Sequence, residues 1–194
     1  MHSLLHRPSQ SRRSLRSILP VLMAAGVVSL NLSACGLGKT AQCNSLSKEI
    51  NKVSGLGKKF EAVGKDLESK GKSVKGIEDF HKMSKEGATS VKGLVTELDG
   101  FTTQVKSVDL QDEKLVGYRD RAVSIYTGAS KSLKEVGSVL DDFTKLQANE
   151  EGKKMLETSM KKLNAAMADL KKVDEAEQAV AKEFNTYCGV EKKG

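Results

Sequence analysis

The chain has 194 residues, 38% hydrophobic and 29% charged, with no Trp, two Pro and three Cys. That length suits one domain or two small ones, and the apolar share supports a core and argues against outright disorder. A net charge of +7 invites a nucleic-acid reading, but its distribution removes it. Residues 1–34 hold Arg7, Arg12, Arg13 and Arg16 and no acid, which leaves 28 Lys+Arg against 25 Asp+Glu from Cys35 onward. Beyond Cys35 there are 26 lysines and two arginines, and the lysines alternate with acids. That is a solvated surface, not the clustered arginine and stacking aromatics that nucleic acid requires.

The first 35 residues fall into three zones. Residues 1–16 are polar and basic, residues 18–30 are apolar around Val21–Val28, and Leu32-Ser33-Ala34-Cys35 closes with small residues. Positive charge, then an apolar run, then small residues is the layout of a secretory signal peptide. The run falls short of the roughly 20 apolar residues that span a bilayer, and Pro20 and Asn31 shorten it further.

Leu32-Ser33-Ala34-Cys35 resembles the lipobox of bacterial lipoprotein precursors. The resemblance implies cleavage before Cys35, a diacylglycerol on its sulfur and a further acyl chain on the new amine. Gly36, not Asp, follows Cys35; by the same resemblance this implies the outer membrane, with the protein facing the periplasm. Ser11-Arg12-Arg13-Ser14-Leu15 is similar to a twin-arginine motif, which leaves the export route open. The expected division is a signal peptide over 1–34, a lipidated tether over 35–42, a helical bundle over 43–188 and a tail over 189–194.

After the leader there is no proline, and apolar residues recur in the three-four alternation of a helical stripe. Leu46, Val53, Phe60, Leu67 and Val74 recur every seventh residue, with Cys43, Ile50, Gly57, Gly64 and Gly71 as a companion row. A second segment reads Ile77, Phe80, Ser84, Gly87, Val91, Leu94, Leu98, Phe101, Val105 and Val108. A third runs from Leu115 through Tyr118, Ala122, Ile125, Ala129, Val136, Val139 and Phe143 to Leu146, widened by Leu133 and Leu140. The fourth carries Leu156, Met160, Leu163, Met167, Leu170, Val173, Val180 and Phe184. The breaks fall at 70–73, at Asp109 and Asp112, which offer caps, and at Asn149-Glu150-Glu151-Gly152. Four long helices on short connectors predict an all-α, antiparallel up-down-up-down bundle.

Gly57, Gly64 and Gly71 share one face and favour close approach of a neighbouring helix over local fraying. With Cys35 assigned to lipid, Cys43 and Cys188 stand at the start of the first helix and the end of the fourth. The predicted topology makes these ends neighbours, so an oxidising compartment gives a Cys43–Cys188 disulfide; free thiols and intermolecular pairing are the alternatives.

Catalytic chemistry has little to work with. His81 is the sole histidine after Cys35. Glu78 and His81 match one Glu-x-x-His of a di-iron bundle, but the second copy that such sites need is missing, so a solvated surface pair is expected. No Cys-x-x-Cys-His, phosphate loop or Gly-x-Ser-x-Gly occurs. Asp141-Asp142 and Glu150-Glu151 diverge by about 100° on a helix, too far to act as an acid/base couple.

We therefore expect no catalytic residue, no metal and no cofactor beyond the lipid on Cys35. Lys70, Lys72 and Lys75 form the candidate contact tip for an anionic polymer or head group, against a plain solvated loop. The expected role is a membrane-anchored, non-enzymatic scaffold that meets another envelope protein or polymer. The alternative is a bundle holding a small apolar ligand, or haem on His81 and one of Met155, Met160 or Met167, where Gly57 and Gly64 thin the core.

Overall fold

The computed structural model describes residues 38–189, so the lipobox, Cys35 and the residues after Gly189 lie outside it. Four helices occur in order: α1 (Lys39–Gly71), α2 (Ile77–Lys106), α3 (Glu113–Phe143) and α4 (Glu150–Cys188). They pack against one another, and among the described residues there is no strand. The expected tether is shorter than 35–42, because Lys39–Gln42 already belong to α1. Gln42 fixes that first turn: its side-chain oxygen accepts from the backbone N–H of Gln111 at 2.7 Å and of Asp112 at 3.0 Å.

Local chemistry accounts for the other boundaries. Asp112 caps α3 by accepting from Lys114 and Leu115 N–H, and Asn149 caps α4 by accepting from Gly152 N–H. Asp109 makes no such cap; the α2–α3 connector continues past it. α4 ends on Gly189 at φ 71°, a left-handed position that glycine takes without steric cost.

α3 is the central element. It buries Leu115, Ala122, Tyr126, Leu133, Val136, Val139, Leu140 and Phe143, because it packs closely against both α2 and α4. The breadth of its apolar seam follows from that double contact. The outer helices behave differently: α1 and α4 barely touch. The disulfide and the Lys39–Tyr187 contact that join them are both at one end.

Away from that end, the seams thin out. No described residue of α1 beyond Leu56 is buried. On α4, Leu156 is 38% and Met160 42% exposed, and Ile77, expected to open the core seam of α2, is 41% exposed. Without a close α1–α4 contact at this end, apolar side chains on that side of each helix have no neighbour to cover them.

The glycine row departs from expectation for the same reason. A Cβ at Gly57 or Gly64 would meet nothing within 4 Å, and at Gly71 only Met83 Sδ at 3.8 Å. Close approach occurs elsewhere. A Cβ at Gly87 would press on Leu67, and one at Gly152 would run into the backbone carbonyl of Gln147. Opposite mutational effects follow. Gly57→Ala and Gly64→Ala should each stabilise by about 0.8–1 kcal/mol, the helix-propensity difference. Gly152→Ala should destabilise by roughly 1–3 kcal/mol, since the connector must move and the Asn149 cap is strained. Urea midpoints of the three variants check both signs.

Candidate functional site

Two ends of the bundle carry the residues singled out from the sequence. At one end the sulfurs of Cys43 and Cys188 are bonded, with Cα atoms 5.9 Å apart and 145 residues between them in sequence. A dense set of side chains surrounds the bridge. Tyr187 donates its hydroxyl to Asp112 Oδ2 at 2.7 Å. That bond holds the Asp112 carboxyl below its ordinary range, helped by the α3 N–H groups it caps. The same bond pushes the Tyr187 phenol up. Lys39 Nζ lies 3.7 Å from the centroid of the Tyr187 ring, and Lys114 Nζ lies 5.2 Å from it. Tyr118 packs edge-on against Phe184 and tilts against Tyr187.

At the opposite end lies the expected basic tip, and most of its charge is already matched. Lys70 pairs with Asp66 at 2.8 Å and with Glu86 at 2.7 Å, which raises its pKa. Lys72 pairs with Glu68 at 2.9 Å. Lys75 contributes its backbone N–H to Asp79 Oδ2 at 3.0 Å. Because carboxylates sit one helical turn away or on α2 opposite, Lys70 and Lys72 add little free cationic surface; the Lys75 bond is made by its backbone and does not engage its ammonium. The side chains offered at this end include apolar ones: Ile77, Met155, Leu156 and, further along α4, Met160.

His81 is not part of a solvated pair with Glu78. It is half-buried, and its Nε2–H donates to the Leu146 carbonyl at 2.8 Å, tying α2 to the α3–α4 connector. That carbonyl lies past the end of α3, where no helical donor reaches it. Among the described residues, no three His, Cys, Asp or Glu side chains converge as a metal would need.

Two polar constellations between helices have no counterpart in the sequence reading. Asp99 accepts from Ser130 Oγ at 2.5 Å and Lys134 Nζ at 3.0 Å, which holds its carboxyl below the ordinary range and stitches α2 to α3. Tyr126, 3% exposed, lies beside Glu177 between α3 and α4. Burial, and secondarily Asp174, pushes the Glu177 carboxyl up against the opposing influence of Tyr126. Both groups line a cavity of about 20 Å³ with Ile50, Tyr118, Ala122, Val180 and Phe184. This is room for one water. Tyr126 replaces Ile125, which is only half-buried, as the core residue of that turn.

Comparison with known protein families, with curated proteins and with solved structures returned no match for this chain.

Proposed function

We propose that the chain is the precursor of a lipoprotein, moored through acylated Cys35 in a cell envelope, whose helices serve as a non-enzymatic scaffold or interaction module. The observation that carries the proposal is the placement of Leu32-Ser33-Ala34-Cys35 at the end of a basic and then apolar leader. One chain of acyl carbons binds a membrane reversibly, but two or three hold it firmly, at about 0.8 kcal/mol per buried methylene. Gly36 after the cysteine favours the outer membrane, with the helices on the periplasmic side.

The proposed arrangement is antiparallel, up-down-up-down. Its support is the order of cross-helix partners. Along α1, Lys52, Lys59 and Lys70 meet Gln104, Glu97 and Glu86 of α2 in reverse order. On α3, Arg121 and Asp142 meet Glu183 and Lys162 of α4, again reversed. With the clasped end next to the lipid, helices of about 50 Å would hold the opposite end well clear of the membrane. Exposed apolar side chains there fit a protein partner better than an anionic polymer, since Lys70 and Lys72 are matched already.

Cys35→Ser tests the anchor. The substituted protein should leave vesicles in a buffer wash, whereas the parent requires detergent, and mass spectrometry of the parent's amino terminus should show the added lipid. Equal retention of both forms would discard the reading. The scaffold role is tested by crosslinking in membranes: a recurrent partner supports it, and turnover of a substrate by the purified protein without any partner opposes it.

A further inference from the structure

We propose that the clasped end is itself a membrane-docking face, in which Lys39 and Lys114, set about the ring of Tyr187, take the phosphates of anionic phospholipid head groups. This rests on the anchor at Cys35 proposed above, and it adds a specific orientation to it.

Three observations converge on this face. The first is the reach of the chain. Helical residue Lys39 stands four positions after Cys35, so a tether no longer than roughly 14 Å separates its backbone from the acylated sulfur. The second is that two ammonium groups are left over here. Lys70 and Lys72 at the opposite end have carboxylate partners within 2.9 Å. Lys39 and Lys114 are exposed, and their ammonium groups lie over the face of Tyr187, with no ion pair to either among the described residues. An aromatic face attracts a cation without neutralising it, so each lysine keeps a charge to offer. The third is the ring itself: its hydroxyl is tied to Asp112, so the half-buried tyrosine offers its aromatic body, of the kind that settles at head-group level.

Carboxylates share this end. Asp112 lies close enough to feel Lys39, but its oxygens are occupied by Tyr187 and the first N–H groups of α3. Asp109 and Glu113 are exposed and reduce the local field. Two lysines among these acids would not recruit the protein from solution. Tethering changes that: a short linker presents the face to lipid at millimolar effective concentration, where a five-fold preference per lysine is enough to fix orientation.

The test uses the chain from Cys35 onward, which contains the whole described helical unit with Cys43 and Cys188 bonded. The free Cys35 thiol is coupled to a maleimide lipid in vesicles, so the outcome does not depend on whether a cell acylates it. Lysine acetylation is then followed residue by residue by mass spectrometry. On vesicles rich in phosphatidylglycerol, acetylation of Lys39 and Lys114 should slow about five-fold or more relative to phosphatidylcholine vesicles, with Lys72 and Lys75 unchanged. Raising salt to 0.5 M should erase the difference. Equal rates on the two vesicle types would overturn the proposal, as would slowing at Lys72 and Lys75 in place of the clasped end. Neither result would touch the anchor itself, which stands or falls with Cys35→Ser.

Discussion

Replacing Cys43 and Cys188 together by Ala should lower stability by about 4–5 kcal/mol, the chain-entropy value for a loop of this length, and move the urea midpoint accordingly. The bridge closes 145 residues and joins the two helices that otherwise barely meet. Its removal therefore acts unevenly. α2 and α3 keep their shared core of Val91, Leu98, Val136 and Val139. α1 and the end of α4 lose the covalent link between them, leaving Gln42 of α1 and Glu183 and Tyr187 of α4 to hold polar contacts with the start of α3 and its connector. Amide exchange should consequently accelerate most in residues 39–56 and 177–188, and least in α2. Uniform acceleration across all four helices would show that the bridge stabilises only through the unfolded chain. Dithiothreitol on the parent protein should reproduce the variant.

What the sequence made legible follows from which forces are local. Helix limits came close because capping and turn chemistry act over three or four residues: Asp112 and Asn149 cap as their positions suggest. The α3 seam was readable because that helix is covered from several sides, so almost every apolar position on it is used. The outer helices misled for the converse reason. A seven-residue repeat on α1 or α4 states which face is apolar, not whether a neighbour arrives to cover it. Gly57, Gly64, Leu156 and Met160 sit on such faces and stay open. Lys70 and Lys72 look like free charge when read along the chain, but Glu86 comes from another helix and Glu68 from one turn back.

One further signal lies in the seven-residue rows. Leu133 and Leu140 extend backward by seven to Tyr126, the buried tyrosine, and Leu156, Leu163 and Leu170 extend forward by seven to Glu177 and then Phe184. Glu177 stands in that row, half-buried, and lines the same small cavity as Tyr126. By contrast, nothing local announces that Lys39 reaches the Tyr187 ring, because that contact needs the first turn of α1 and the last turn of α4 to be brought together.

The Glu177 position makes Phe184 the residue with the other large effect. Phe184 is 2% exposed, meets Tyr118 edge-on and shares the small cavity with Tyr126 and Glu177. Phe184→Ala should cost about 3–5 kcal/mol through lost contacts and a cavity that cannot collapse between three helices. It should also change how stability depends on pH. In the parent protein Glu177 has a folded-state pKa above its ordinary 4.5, with burial the first cause. Its neutral form is thus the better-tolerated one in the fold. That contribution is complete below pH 4.5 and is lost as pH rises through the raised value. Asp99 and Asp112 run the opposite way: their lowered pKa values add stability above the ordinary carboxylate range and lose it on acidification. Urea midpoints for the parent and for Glu177→Gln, compared from pH 4.5 to 7.5, isolate the first effect. The advantage of the Gln variant should grow as pH rises. In the Phe184→Ala background water gains access to the carboxylate, the desolvation that raises its pKa weakens, and the same comparison should flatten. A pH-dependence of Glu177→Gln that is unchanged by Phe184→Ala would mean that Phe184 does not shield this carboxylate.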